Sequence, residues 1–143
     1  MQACPLCAED GGLIVLRNDL FRVVLVADPE LPGFTRVIVN AHAEEMTDLE
    51  PVARVQLLRA VLAVEEVQRE VLGPVKMNLA SLGNAVPHVH WHVIPRFADD
   101  AFYPQPIWGT RQRETPPAVL AARHALLPVL RQRLVEQIGD LGR

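Results

Sequence analysis

The chain has 143 residues, half of them hydrophobic and 22% charged, with 17 acidic against 14 basic side chains for a net charge of −3. That length can bury a real core, and one domain spanning 1–143 is expected. The balance of charge offers no footprint for duplex nucleic acid or an acidic membrane surface, so neither is expected as a partner, although a small anionic ligand needs only a local site. No stretch is long enough to span a membrane, and Met1-Gln2-Ala3-Cys4 lacks the basic start and apolar run of a secretory leader, so a soluble cytoplasmic protein is expected.

Cys4-Pro5-Leu6-Cys7 opens the chain within an N-terminal segment, residues 1–10. Cys-x-x-Cys brings two thiolates close enough for one tetrahedral metal ion. A redox pair usually lies beside a strand–helix unit, which this pair precedes, and two unrelated thiols are the plain alternative. After the Gly11-Gly12 turn, Leu13 to Leu16 and Phe21 to Ala27 read as two strands. Asp28 to Gly33 is a loop by its two prolines and glycine. Phe34 to Val39 is the next strand, with Thr35, Val37 and Val39 on one face and Phe34, Arg36 and Ile38 on the other. His42 follows where this strand gives way to a loop; by itself it reads as an exposed loop histidine.

Thr47-Asp48-Leu49-Glu50 fits a capping box and Pro51 a first helical turn, so a helix is expected to run to about Leu72 and stop at Gly73-Pro74. Its apolar positions (Val52, Val55, Leu57, Leu58, Val61, Leu62, Val64 and Val71) cover a face wide enough to be mostly buried on a sheet. Val75 to Leu82 reads as a strand carrying Asn78, and Ser81 to Pro87 as the turn that follows.

The next stretch is His88-Val89-His90-Trp91-His92-Val93-Ile94-Pro95-Arg96. As a strand it sends His88, His90 and His92 to one face and Val89, Trp91 and Val93 to the other. On a helix the three imidazoles could not converge. The β-branched and aromatic residue types favour the strand. A C-terminal part, residues 98–143, then holds an irregular segment, Phe102 to Trp108, broken by prolines. It either packs over the domain or a subunit contact, or closes over a flat ligand, and packing is favoured. A last helix is expected from Thr115-Pro116-Pro117 to about Ile138, kinked at Pro128 and ended by Gly139.

The histidine stretch resembles the signature of the histidine-triad (HIT) superfamily, His-φ-His-φ-His-φ-φ with φ apolar; His88 through Ile94 match every position. The resemblance extends to the Pro32-Gly33 turn, its strand and His42, the helix, the Asn78 strand and the Gly83 turn, about residues 4 to 97 in all. It is strongest toward bacterial diadenosine-tetraphosphate-hydrolase-like members. It implies an α+β fold: a mostly antiparallel sheet with a long helix packed on it and a C-terminal helix, usually as a homodimer.

The resemblance also implies chemistry at the α-phosphate of dinucleoside polyphosphates or AMP conjugates. His90 corresponds to the nucleophile that forms a nucleotidyl-histidine, which water or phosphate then resolves. His92 corresponds to a residue that contacts the phosphate and helps the leaving group depart, and Asn78 to one near the phosphate. Backbone donors at Gly83, Asn84 and Ala85 and the ribose-facing Asp28 complete the implied substrate contacts. Cys4, Cys7, His42 and His88 match a set that holds a structural zinc in some members. The chain departs from many members by Phe34 in place of a histidine and Asn84-Ala85-Val86 in place of a serine-bearing turn, which puts amine leaving groups in question. The alternative is a zinc-stabilised module that binds a purine nucleotide without turnover.

Overall fold

A computed structural model describes residues 3–139 and 141. Met1 and Gln2, read above for a leader, and residues 140, 142 and 143 lie outside it. Five strands form one sheet: β1 (Leu13–Arg17), β2 (Phe21–Leu25), β3 (Thr35–Val39), β4 (Lys76–Ala80) and β5 (His90–Arg96). Their order across the sheet is β1-β2-β3-β5-β4, and every neighbouring pair is antiparallel. Four helices accompany them: α1 (Pro5–Ala8), α2 (Pro51–Leu72), α3 (Pro117–His124) and α4 (Leu127–Gly139). The expected α+β architecture is present.

Strand alternation divides the sheet into two faces with different work. Val37 and Val39 of β3 and Val89 and Val93 around β5 join Leu57, Val61 and Val64 of α2 and Leu130, Leu134 and Ile138 of α4 in the main core. Each fully buried aliphatic side chain contributes roughly 1.5–3 kcal/mol, so this helix-covered face supplies most of the stabilisation. Gln68 of α2 reaches into it: its Nε2 donates to the carbonyls of Gly33 (2.8 Å) and Val93 (2.9 Å), tying the helix to both central strands. Gly33 has φ +91°, and a Cβ there would collide with the Leu72 side chain, so the turn before β3 requires glycine. The opposite face carries Phe34, Arg36 and Ile38 beside His90 and His92.

Several boundaries differ from expectation. His88 precedes β5, whose pairing begins at His90. The Cys4–Cys7 segment winds into one helical turn, closed by Cys7 N–H on the Cys4 carbonyl (3.1 Å). The capping box expected at Thr47 does not form; Asp48 accepts from the Glu45 N–H (3.1 Å) in a 3-10 turn, and α2 starts behind it at Pro51. The helix ends as expected, with Gly73 left-handed. Half of the apolar stripe named for α2 is not buried: Val52, Val55, Leu58 and Leu62 face outward. The last helix is two helices, because Pro128 lacks an N–H and its ring clashes with the preceding turn.

Arg96 and Asp100 form a buried ion pair, Nε to Oδ2 at 2.9 Å and Nη2 to Oδ1 at 3.0 Å. Asp100 also accepts from the backbone N–H groups of Phe97, Phe102 and Tyr103. Burial pushes its carboxyl up, but Arg96 and the three N–H groups together outweigh this and hold it below the usual carboxylate range. Replacing Asp100 by Asn leaves a buried guanidinium without its counter-charge, and a loss of about 3 kcal/mol is expected by denaturant unfolding. Because the folded carboxyl titrates lower than the unfolded one, this stabilisation is full above the ordinary carboxylate range and is lost as pH falls through the folded value. The Asp100→Asn variant should lack that acid limb.

Candidate metal centre and histidine cleft

Two clusters occupy the uncovered face, and hydrogen-bond accounting separates them. His88 is fully buried, with Nε2 2.6 Å from the Val39 carbonyl. A carbonyl only accepts, so Nε2 carries the proton and Nδ1 keeps its lone pair. That Nδ1 lies 3.3 Å from Cys4 Sγ and 3.5 Å from Cys7 Sγ, while His42 Nδ1 lies 3.4 Å from Cys7 Sγ. All four ligand atoms fall within 4.8 Å of one another. Tetrahedral zinc bonds of about 2.0–2.3 Å place ligand atoms roughly 3.3–3.8 Å apart, so the set is shaped for a metal ion. Desolvation, then the hydrogen bond and charge of Cys4, push the Cys7 thiol up; a dication between the two sulfurs would reverse that. Arg22 fixes α1 by donating to the carbonyls of Leu6 (2.6 Å), Glu9 (3.1 Å) and Asp10 (2.8 Å).

The second cluster lines a cleft of about 320 Å³ bounded by Arg36, Leu82, Gly83, Asn84, Ala85, Val86, His90, His92 and Trp108. His90 Nδ1 lies 2.5 Å from the His88 carbonyl, so Nδ1 is the protonated nitrogen and Nε2, which has no hydrogen-bond partner among the described residues, keeps its lone pair. The rings of His90 and His92 meet edge to face, centroids 4.9 Å apart. His92 is packed by Phe34 at 5.7 Å and Trp108 at 5.0 Å. Burial first, then the charges of His90 and Arg36, lower its pKa to about 4. His92 is therefore neutral at neutral pH. Gly83 has φ +80°, and among the described residues the N–H groups of Gly83, Asn84 and Ala85 donate to no protein acceptor. They are available to an anionic ligand.

Two of the residues expected at the site lie elsewhere. Asn78 shares the sheet face with His92 but lines an adjoining, larger cavity, where its Oδ1 accepts from Arg96 Nη1 (2.8 Å). Asp28 caps its own loop by accepting from the Glu30 N–H (2.9 Å), and it does not line the His90 cleft. Four other residues join the cleft without having been assigned to it: Leu82 and Val86, which flank the assigned turn, and Arg36 and Trp108. Arg36 is the one charged residue in a mostly apolar central strand, which is itself a signal. Trp108 comes from the proline-rich segment, where no periodicity locates a side chain. Phe102 and Ile107 of that segment pack against Leu31, Phe34 and Ile94, while Pro104 and Pro106 line the larger cavity.

An NMR titration of the His92 ring should show a midpoint near 4. Its depressed folded pKa means that the unfolded chain takes up the proton first. Stability should therefore fall as pH drops from about 6.5 toward 4, and fall less in His92→Asn.

A family model described as HIT domain matches residues 8–99. An AP-4-A phosphorylase of Mycobacterium tuberculosis is 29% identical over 113 residues, covering 75% of this chain and 58% of that protein. A bis(5'-nucleosyl)-tetraphosphatase (asymmetrical) of Schizosaccharomyces pombe is 31% identical over 91 residues, covering 60% of this chain and 50% of that protein. The chain thus spans little more than half the length of these curated relatives. Among solved structures, a histidine triad protein of Bradyrhizobium japonicum superposes with TM-score 0.72 at 27% identity, over 90% of this chain and 92% of the other. A zinc-bound histidine triad family protein of Mycobacterium smegmatis shares the fold with TM-score 0.63 at 23% identity, over 94% of each. With the family model covering well over half of its residues, this chain belongs to the HIT domain family.

Proposed function

We propose that the protein is a nucleotidyl-transferring hydrolase that cleaves dinucleoside polyphosphates or AMP conjugates at the α-phosphate. One observation carries this reading: His90 has its Nδ1 proton engaged by the His88 carbonyl and its Nε2 lone pair open to a cleft lined by donors. A binding module has no need of a nucleophile so prepared. Nε2 attacks the α-phosphorus, the P–N bond forms as the bond to the leaving group breaks, and water or phosphate then displaces His90. The N–H groups of Gly83 to Ala85 take the charge that develops on the phosphoryl oxygens, and His92 hydrogen-bonds the departing group. Asn78, in the adjoining cavity, belongs with the leaving portion of a dinucleotide, and Asp28 with a ribose. The named activities of the two curated relatives agree with a dinucleoside polyphosphate substrate, and one of the names, AP-4-A phosphorylase, with a purine one.

Cys4, Cys7, His42 and His88 hold a structural zinc in this reading, because two thiolates and two imidazoles close a tetrahedron with no open position. The ion ties α1 to the start of β5, and a reducing compartment such as the cytoplasm keeps the thiols competent. Residues 1–143 act as one such domain. Two copies pair through the outward face of α2 (Val52, Val55, Leu58 and Leu62) and the neighbouring edge strand β4, an apolar surface that calls for cover. Among the described residues no helix is long and apolar enough to cross a membrane, and no nucleic-acid partner is proposed.

Wild type should release AMP and ATP from diadenosine tetraphosphate in water, or ADP and ATP when phosphate is the acceptor, and His90→Ala should abolish both while keeping its fold. Nucleotide bound without turnover by wild type would favour the binding module. Zinc analysis should find one ion per chain, lost in Cys7→Ser with a lower Tm. Leu62→Glu should shift a dimer toward monomer in sedimentation velocity.

A further inference from the structure

Arg36 is the one charged residue of β3, and the strand register sets it directly opposite His92. It is half-buried, with Nη1 donating to the Gly11 carbonyl (3.1 Å) and the guanidinium carbon 5.4 Å from the Phe34 ring centroid. Among the described residues no carboxylate pairs with it, unlike Arg96, which has Asp100. Its Nε lies 3.4 Å from His92 Nδ1, long for a hydrogen bond but correctly aligned. A guanidinium can only donate, so His92 Nδ1 accepts, and the ring proton sits on Nε2. That Nε2 has no hydrogen-bond partner among the described residues, and the ring borders the cleft beside His90.

We propose that Arg36 is a positioning residue that sets leaving-group specificity: by donating to His92 it holds that ring as a neutral Nε2–H donor, which serves a leaving group departing as a phosphate anion and fails one departing as an amine. The inference rests on the hydrolase reading and deepens it. With a dinucleoside polyphosphate, the bond from His90 Nε2 to phosphorus forms as the P–O bond breaks. The electron pair stays on the bridging oxygen, which leaves as a polyphosphate anion and needs only a hydrogen bond. With an AMP phosphoramidate, the P–N bond breaks and the nitrogen must gain a proton to leave as an amine. An imidazolium at His92 would supply that proton; a fixed cation against Nδ1 disfavours it. The unpaired positive charge of Arg36 also suits a leaving group that is itself anionic.

The test compares wild type with Arg36→Met, which keeps the apolar stem, and Arg36→Lys, which keeps the charge. Long-range 1H–15N spectra at neutral pH should show His92 as the Nε2–H tautomer in wild type, and as a tautomer mixture with a raised midpoint in Arg36→Met. The ratio of kcat/KM for diadenosine tetraphosphate to that for an AMP phosphoramidate should fall on the order of tenfold or more in Arg36→Met and recover largely in Arg36→Lys, which simple misfolding would not reproduce. An Nδ1–H tautomer in wild type would overturn the proposal, as would a ratio unchanged within about twofold in Arg36→Met. AMP release from neither substrate by wild type would instead sink the hydrolase reading, and the specificity role with it.

Discussion

A backbone carbonyl cannot donate a proton, and two of them decide what the histidine row can do. The Val39 carbonyl takes the Nε2 proton of His88 and turns that ring's lone pair toward the thiols. The His88 carbonyl takes the Nδ1 proton of His90 and turns that ring's lone pair toward the cleft. The Val39 carbonyl is available because reciprocal ladder pairing stops at this corner: β5 begins at His90, and the Val89 N–H donates to the Ala43 carbonyl rather than back to Val39. Three imidazoles spaced by two residues thus receive unequal protonation from their surroundings.

Such polar chemistry on a central strand is tolerated because the other face of the sheet carries the apolar burden. Val89 and Val93 are sealed under α2 and α4, and Gln68 locks the helix layer to β3 and β5. The histidine face need not contribute much to folding and can keep lone pairs and N–H groups unspent. Where it buries charge it is careful. Arg22 spends its guanidinium on carbonyls that shape α1, and Arg96 meets Asp100 at bidentate distance.

What was readable from the residues follows the reach of each signal. The period-two alternation of β3 and β5 is a local property, and both faces came out as read, with Thr35, Val37 and Val39 opposite Phe34, Arg36 and Ile38. The Cys4, Cys7, His42 and His88 set was named by resemblance and is brought within ligand distance. What the residues do not disclose involves partners distant in sequence. Whether Val52 or Leu57 faces the sheet depends on the phase of α2, which a stripe apolar on both sides does not specify. Asn78 was set near the phosphate by resemblance; its Oδ1 accepts from Arg96, eighteen residues on, in the adjoining cavity. Trp108 reaches His92 from a segment whose path is drawn by anchors elsewhere.

Those anchors confine the aromatic segment at its base. Asp100 takes the N–H groups of Phe102 and Tyr103, Arg96 donates to the Gln105 carbonyl, and the Ala101 carbonyl receives Gln112 and Arg113. Arg113 closes the loop on the carbonyls of Asp100 and Tyr103. All but two of these contacts, the ones to Gln112 and Arg113 backbone, run between a side chain and main chain, so they are indifferent to which side chains the intervening residues carry. The segment is in effect a held frame with one free position: Phe102 and Ile107 are fixed by packing, but exposed Trp108 can be exchanged to recast the wall shared by the two cavities while the sheet beneath keeps its register.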